Sequence, residues 1–319
     1  MRKIIALAIL GAMSATALAD VDVKGNFGYR YDSQQSGNTT VNQDRMKAEL
    51  KISSQLNDET KVVLGLATGD AKTRYVTFGG NNSLKNIDLN LAYVEYAPIA
   101  STKVVLGKMH QPWATSSLFF DKDIKPEGLA VAFDAGHGLK AAAYQLTVAE
   151  GGLAPDSKVK GFQVGVAKDI AGLKASAFAG LQNHDSAIPG SAARAKSELT
   201  HLGASVGKGP FTAFIEQTKN DKAATGDTAK AYGVTFGKAA APGTWDFTVM
   251  HQEVEANALP VSWMDGEFGA NAAKHEGNAF IVNYVVAKGW VINGKYYDTE
   301  VGPTKINNKR LLVDLNYMF

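Results

Sequence analysis

The sequence predicts an all-β fold, a transmembrane antiparallel β-barrel of about sixteen strands. Three observations carry this. The chain opens on a secretory signal. No later stretch approaches the roughly 18 consecutive apolar residues of a spanning helix. Instead, segments of about ten residues alternate in polarity between turns. Lipid offers no partner to an open strand edge, so a chain without a spanning helix can cross a bilayer only as a closed barrel.

Arg2 and Lys3 form a positive n-region, Ile4 to Met13 a short apolar run, and Ala17-Leu18-Ala19 an A-x-A cleavage site. The run is shorter than the roughly 20 residues a spanning helix needs. Residues 1–19 therefore read as a cleaved signal peptide and 20–319 as the barrel domain. The full chain carries 33 Lys+Arg and 31 Asp+Glu, and cleavage removes two cations, so the mature charge balances. Cysteine is absent, which excludes a disulfide scaffold, a thiolate zinc site and a Cys nucleophile. The evenly spread charge leaves no footprint for nucleic acid, and none is expected as a partner.

The strands follow in order. The first spans 20–31. The second, 43–56, reads most clearly: Met46, Ala48, Leu50 and Ile52 share one face, while Arg45, Lys47, Glu49, Lys51 and Ser53 share the other. Further strands are expected at 60–69, 86–97, 102–110, 127–134, 138–149, 159–168, 172–182, 198–207, 211–219, 229–238, 244–255, 277–287 and 290–298. The last, 309–319, places Leu311, Val313, Leu315, Tyr317 and Phe319 opposite Arg310, Asp314 and Asn316, with Leu312 as an exception. Lys103 to His110 does not divide cleanly into two faces.

Connections alternate in length. Short ones fall at 57–59, 98–101, 135–137, 169–171, 208–210, 239–243 and 288–289; long ones at 32–42, 70–85, 111–126, 150–158, 183–197, 220–228, 256–276 and 299–308. Short turns at one end and long loops at the other are the habit of outer-membrane barrels. Tyr96, Phe133, Phe211, Trp245, Trp290, Tyr317 and Phe319 sit near the short turns or the terminus, and Tyr29, Tyr31, Tyr144, Tyr296 and Tyr297 nearer the long loops. Two such groups predict two interfacial girdles.

A Lys or Arg facing lipid near the midplane costs about 2–4 kcal/mol. The charged faces must therefore point into a wet interior. Lys24, Arg30, Lys47, Glu49, Lys51, Lys108, Arg310 and Asp314 are expected to line it, with Asp88, Lys174, Glu216, Asp246 and Lys295 also off the lipid face. A barrel of about sixteen strands is wide enough for a water-filled channel. Cations slightly outnumber acids on these faces, which predicts a weak anion preference.

The chain resembles the Gram-negative outer-membrane porins, in particular a putative-porin family. The resemblance rests on the signal peptide, 45–50 (RMKAEL), 64–69 (LGLATG), 91–96 (LAYVEY), 106–113 (LGKMHQPW), 120–128 (FDKDIKPEG) and the terminal Tyr317-Met318-Phe319. It implies an outer-membrane homotrimer, embedded among lipid and lipopolysaccharide, that passes ions and small hydrophilic solutes by passive diffusion. Tyr317 and Phe319 would then be the signal read by the barrel-assembly machinery. The third long loop, 111–126, would fold inward as a constriction. Its Asp121 and Asp123, with Glu127 just after, would face a basic wall of Arg45, Lys47 and Lys51. The Pro-Glu-Phe-Gly-Gly loop motif of general porins is absent. Neither a cofactor nor a catalytic residue is expected.

Two alternatives use the same barrel. Trp113, Phe119 and Phe120 would serve a substrate-specific channel as an aromatic slide. A structural or adhesive barrel would bind partners through 186–197 and 256–274, which read first as solvated loops. Residues 121–126 fail as a calcium loop because Lys125 and Pro126 occupy positions that need an acid or amide and a Gly. The six histidines make no metal-binding motif, so no metal is expected.

Overall fold

The computed structural model describes residues 21–70, 72–79, 85–115, 117–149, 156–187 and 194–319. The signal segment 1–19 and part of the loop at 186–197 lie outside the described residues. The strands are β1 (Val21–Ser36), β2 (Thr39–Gln55), β3 (Thr60–Thr68), β4 (Val76–Thr77), β5 (Ile87–Ile99), β6 (Thr102–Lys108), β7 (Glu127–Gly136), β8 (Leu139–Ala149) and β9 (Ser157–Ile170). They continue with β10 (Leu173–Ala187), β11 (Arg194–Lys208), β12 (Phe211–Asn220), β13 (Thr228–Gly237), β14 (Trp245–Val254), β15 (His275–Ala287), β16 (Trp290–Val301) and β17 (Ile306–Met318). The long strands pair antiparallel with their neighbours, and β17 pairs with β1, from Asn26↔Met318 to Ser36↔Asn308. That last ladder removes both edges, as a bilayer demands. Sixteen staves close the barrel, and all sixteen expected strands are among them.

Two-residue turns explain the tight end. His137-Gly138 and Ala171-Gly172 each hold two consecutive positive φ angles, 53° and 80°, then 52° and 81°. This is the type I′ geometry whose twist matches paired strands.

Several long connections are shorter than expected. β1 and β2 run on to Ser36 and Thr39, so 32–42 is mostly strand, with Gly37-Asn38 as its turn. At the other end of the chain, 299–308 shrinks to four residues between Val301 and Ile306. Backbone pairing continues above the lipid belt, where neither face needs to be apolar, so alternation stops reporting it. β3 ends early at Thr68, and β4 replaces it against the upper part of β2 (Arg45↔Thr77, Met46↔Val76).

The alternation is real. Leu311, Val313, Leu315 and Tyr317 are exposed on the outer surface, while Arg310, Leu312, Asp314 and Asn316 are buried on the inner one. The seven rings expected near the short turns are exposed on the outer surface, as are Tyr29 and Tyr296. Tyr144 and Tyr297 are corrections: both are buried inside the barrel and belong to no girdle. They join an internal apolar cluster with Leu146, Val159, Leu199 and Leu312. Loops from the open end bury that cluster, and this also explains why Leu312 breaks the pattern. The same applies to β6, whose Val105 packs inward against the cluster while Leu106 faces out.

Candidate functional site

The segment between β6 and β7 crosses the lumen. Trp113, Phe119, Phe120 and Ile124 are all buried in the internal cluster. Trp113 lies 5.1 Å from Tyr144 on β8, and Phe120 lies 5.8 Å from His201 on β11, between ring centroids. Polar bolts fix the crossing. The Ala114 N–H donates to Gln163 Oε1 on β9 (2.7 Å), and Gln163 Nε2 returns a bond to the Ala114 carbonyl (3.3 Å). On β12 the Glu216 carboxylate accepts from Thr115 Oγ1 (2.8 Å), Ser117 Oγ (2.6 Å) and the Ser117 N–H (3.2 Å). Trp113, Phe119 and Phe120 are thus packing groups. At 6%, 1% and 1% exposure they present no slide to a solute.

A second connection enters the lumen, which alternation and composition did not reveal. The segment between β14 and β15 reads as a solvated loop in the sequence, yet Trp263, Met264 and Phe268 are at most 1% exposed. This segment pairs with the third loop: Phe120 bridges Met264, and the Asp121 N–H donates to the Trp263 carbonyl (2.8 Å). Its Glu267 accepts from Lys295 Nζ on β16 (2.8 Å) and from Arg30 on β1. Lys72, between β3 and β4, donates to Asn271 Oδ1 (3.1 Å) and the Val261 carbonyl (3.3 Å).

The two loops leave a polar gap between themselves and the wall of β1, β2, β16 and β17. A cavity of about 380 Å³ lies there, lined on the wall by Arg30, Lys47, Lys295, Asp314 and Asn316, and on the loops by Lys72, Arg74, Asp121, Lys122, Asp123, Asp265 and Glu267. Lys47, Asp121 and Asp123 all line this cavity. Arg45, Lys51 and Glu127 are not among the lining. Arg45 turns to Asp32 (3.2 Å) and the Tyr75 carbonyl (2.7 Å). Lys51 lies opposite Lys24 in the β1–β2 ladder, and Glu127 pairs with Lys108 at 2.9 Å. Lys24 sits near the tight end, paired with Asp22 at 3.0 Å.

Most charges around the gap are already matched. Arg30 forms a two-bond fork with Asp314 (2.6 and 2.8 Å), and Arg310 forms one with Asp32 (2.9 and 2.7 Å). The partner of Asp123 is Arg74, which no sequence pattern singles out: its backbone N–H donates to Asp123 Oδ2 (3.3 Å) and its guanidinium to the Asp123 carbonyl. Burial, then the charge of Asp265, pushes the Asp121 carboxyl up to about 7. Burial, then Glu267, pushes Asp265 up to about 6. Burial opposes ionisation of Glu267 as well, but Lys295 and Arg30 outweigh it and hold that carboxyl well below the usual range. Lys47 keeps a long pairing to Glu49 (3.7 Å) and a place over the Tyr75 ring (5.1 Å). Glu49 also accepts from Asn26 (3.3 Å).

A closed barrel with an apolar outer surface, a charged inner surface and a polar gap beside two inward loops is the architecture of a water-filled membrane channel. Residues 128–302, more than half of the chain, match the family model described as "Gram-negative porin", and residues 14–155 match one described as "Putative porin". The chain belongs to the Gram-negative porin family. It is an outer-membrane channel for the passive diffusion of small solutes, and the family and its fold are non-enzymatic. A search of curated proteins finds no match. Among solved structures, Pseudomonas putida OprB at high pH superposes with a TM-score of 0.67 at 9% identity, over 94% of both chains. Salmonella typhi OmpF, in complex with daunomycin, gives 0.61 at 11% identity, over 94% of this chain and 98% of the other. A mutant of the Rh. blastica porin gives 0.57 at 12% identity, over 94% of this chain and all of the other. At such identities these likenesses concern the fold.

Proposed function

We propose that solutes pass through the polar gap between the inward loops and the wall of β1, β2, β16 and β17, and that this passage favours anions weakly. The state of its charges carries the reading. The lining acids Asp123, Glu267 and Asp314 each have a basic partner, and burial leaves Asp121, whose carboxyl titrates at about 7, only partly ionised at neutral pH. Among the described residues, Lys72 donates to neutral acceptors and Lys47 has one long pairing, to Glu49. The uncompensated field is therefore positive, and such fields near a narrowing set ion preference. The channel works as a homotrimer among lipid and lipopolysaccharide, a proposal that family membership supports. Tyr317 and Phe319 serve as its assembly signal.

The test is the zero-current potential of the folded protein in a planar bilayer under a KCl gradient. Its sign should indicate chloride over potassium, and Lys47→Gln with Lys72→Gln should move it toward potassium. Conductance steps grouped in threes would support the trimer. A cation-preferring wild type would overturn the assigned passage.

A further inference from the structure

The seventh of the long connections, between β14 and β15, does more than narrow the lumen. Its backbone enters beside the third loop, and its tip presents Gly266 and Glu267 to wall cations on three staves. Arg310 donates to the Gly266 carbonyl (3.3 Å), while Arg30 and Lys295 donate to the Glu267 carboxylate. These cations differ in what else they hold. Arg30 is forked by Asp314 and Arg310 by Asp32, both wall-to-wall pairs between strands adjacent at the barrel seam. Among the described residues, the one acid paired with Lys295 is Glu267. The wall thus carries a cation whose counter-charge arrives on a loop.

Burial sharpens the point. The side chains of Lys295 and Glu267 remain 24% and 26% exposed, whereas Arg30 and Asp314 are 3% and 5% exposed. The Arg30–Asp314 fork lines the cavity too, but its side chains are almost wholly buried and its charges are matched within the wall. The Lys295–Glu267 pair still faces the water of the cavity, and both of its members line it. Changing either one alters the charge that a permeating ion meets, while the Arg30–Asp314 and Arg310–Asp32 forks remain.

We propose that Glu267, delivered by the seventh connection, determines the specificity of the passage by cancelling Lys295 and so restraining its anion preference. The inference rests on the passage assigned above. It makes the weakness of the preference a property of one loop-borne carboxylate rather than of the whole inner wall.

Zero-current potentials in planar bilayers test it, using full chains whose folding is verified by heat-modifiable gel migration. Glu267→Gln should raise the chloride-to-potassium permeability ratio about two- to threefold, the effect of one unit charge at roughly 7 Å across water, about halved by salt and acting on the two ions with opposite sign. Lys295→Gln should move the ratio the opposite way, because Glu267 then faces Arg30 alone, a cation already shared with Asp314. The double variant should return close to wild type, a reversal that a merely structural role would not produce. If Glu267→Gln fails to fold, Lys295→Gln decides alone. An unchanged ratio in a folded single variant overturns the assignment to Glu267 while the passage stands. A silent wild-type membrane sinks the passage, and this inference with it.

Discussion

Arg30 shows what a single inward position must satisfy. Its neighbour Tyr29 faces outward, so period two alone places Arg30 inside. What alternation does not supply is its partner, since Asp314 lies 284 residues along the chain and meets Arg30 only because the last strand pairs with the first. The side chain is 3% exposed, so its charge is satisfied by protein rather than by lumen water. Arg30→Met should therefore leave Asp314 without its fork and Glu267 with Lys295 alone. Removing one partner of a buried pair costs about 3–5 kcal/mol. Urea unfolding in lipid vesicles should show a loss of that order. A loss below about 1 kcal/mol, the level of an exposed pair, would mean that water already shares the guanidinium. Arg30→Lys should recover only part of the stability, because an ammonium keeps the charge but not the planar fork.

At the scale of elements, the staves were legible and the loops were not. A strand facing lipid on one side and water on the other writes its orientation into every second residue, and β2 and β17 show it most plainly. A loop that folds back writes no period. Its trace lies in the staves beneath it, where Leu146, Val159, Leu199 and Leu312 put apolar groups on the polar side. Such inward apolar positions, read as a docking patch, would have predicted that Trp113 and Trp263 are buried. The join between the two loops also holds a titrating group. Burial raises the Asp121 carboxyl to about 7, so the docked loops favour its protonated form. Docking should have full strength below the ordinary carboxylate value of about 4, weaken as pH climbs, and be weakest above about 7. Above that point ionised Asp121 also faces Asp265, whose carboxyl titrates at about 6. Single channels should be smaller and quieter at pH 5 than at pH 8, and Asp121→Asn should keep the pH 5 behaviour at pH 8. Equal traces at both values in the wild type would show that the join does not respond to this carboxyl.

For the whole molecule, the decisive event is closure, because an open sheet would expose two unpaired edges to lipid. The seam is β1 against β17, and its last contact uses the C-terminus. Gly25 and Phe319 exchange backbone hydrogen bonds, N–H to carbonyl at 3.0 Å one way and 3.1 Å the other. The Phe319 ring then lies directly over Gly25, where an added Cβ would sit 2.2 Å from the ring's Cζ. Glycine is needed at position 25 for this close approach rather than for an unusual φ. The terminal aromatic thus has a seat as well as its proposed role as an assembly signal, and the two can be separated. Gly25→Val leaves Tyr317 and Phe319 intact for any machinery that reads them, but blocks the seat. Refolding of this variant into vesicles, without assembly machinery, should give fewer closed, heat-modifiable barrels than wild type. Those that do close should conduct normally, because position 25 faces away from the lumen. A wild-type yield from Gly25→Val would show that the seam closes without the ring in place, and the terminal Phe319 would then matter for recognition alone.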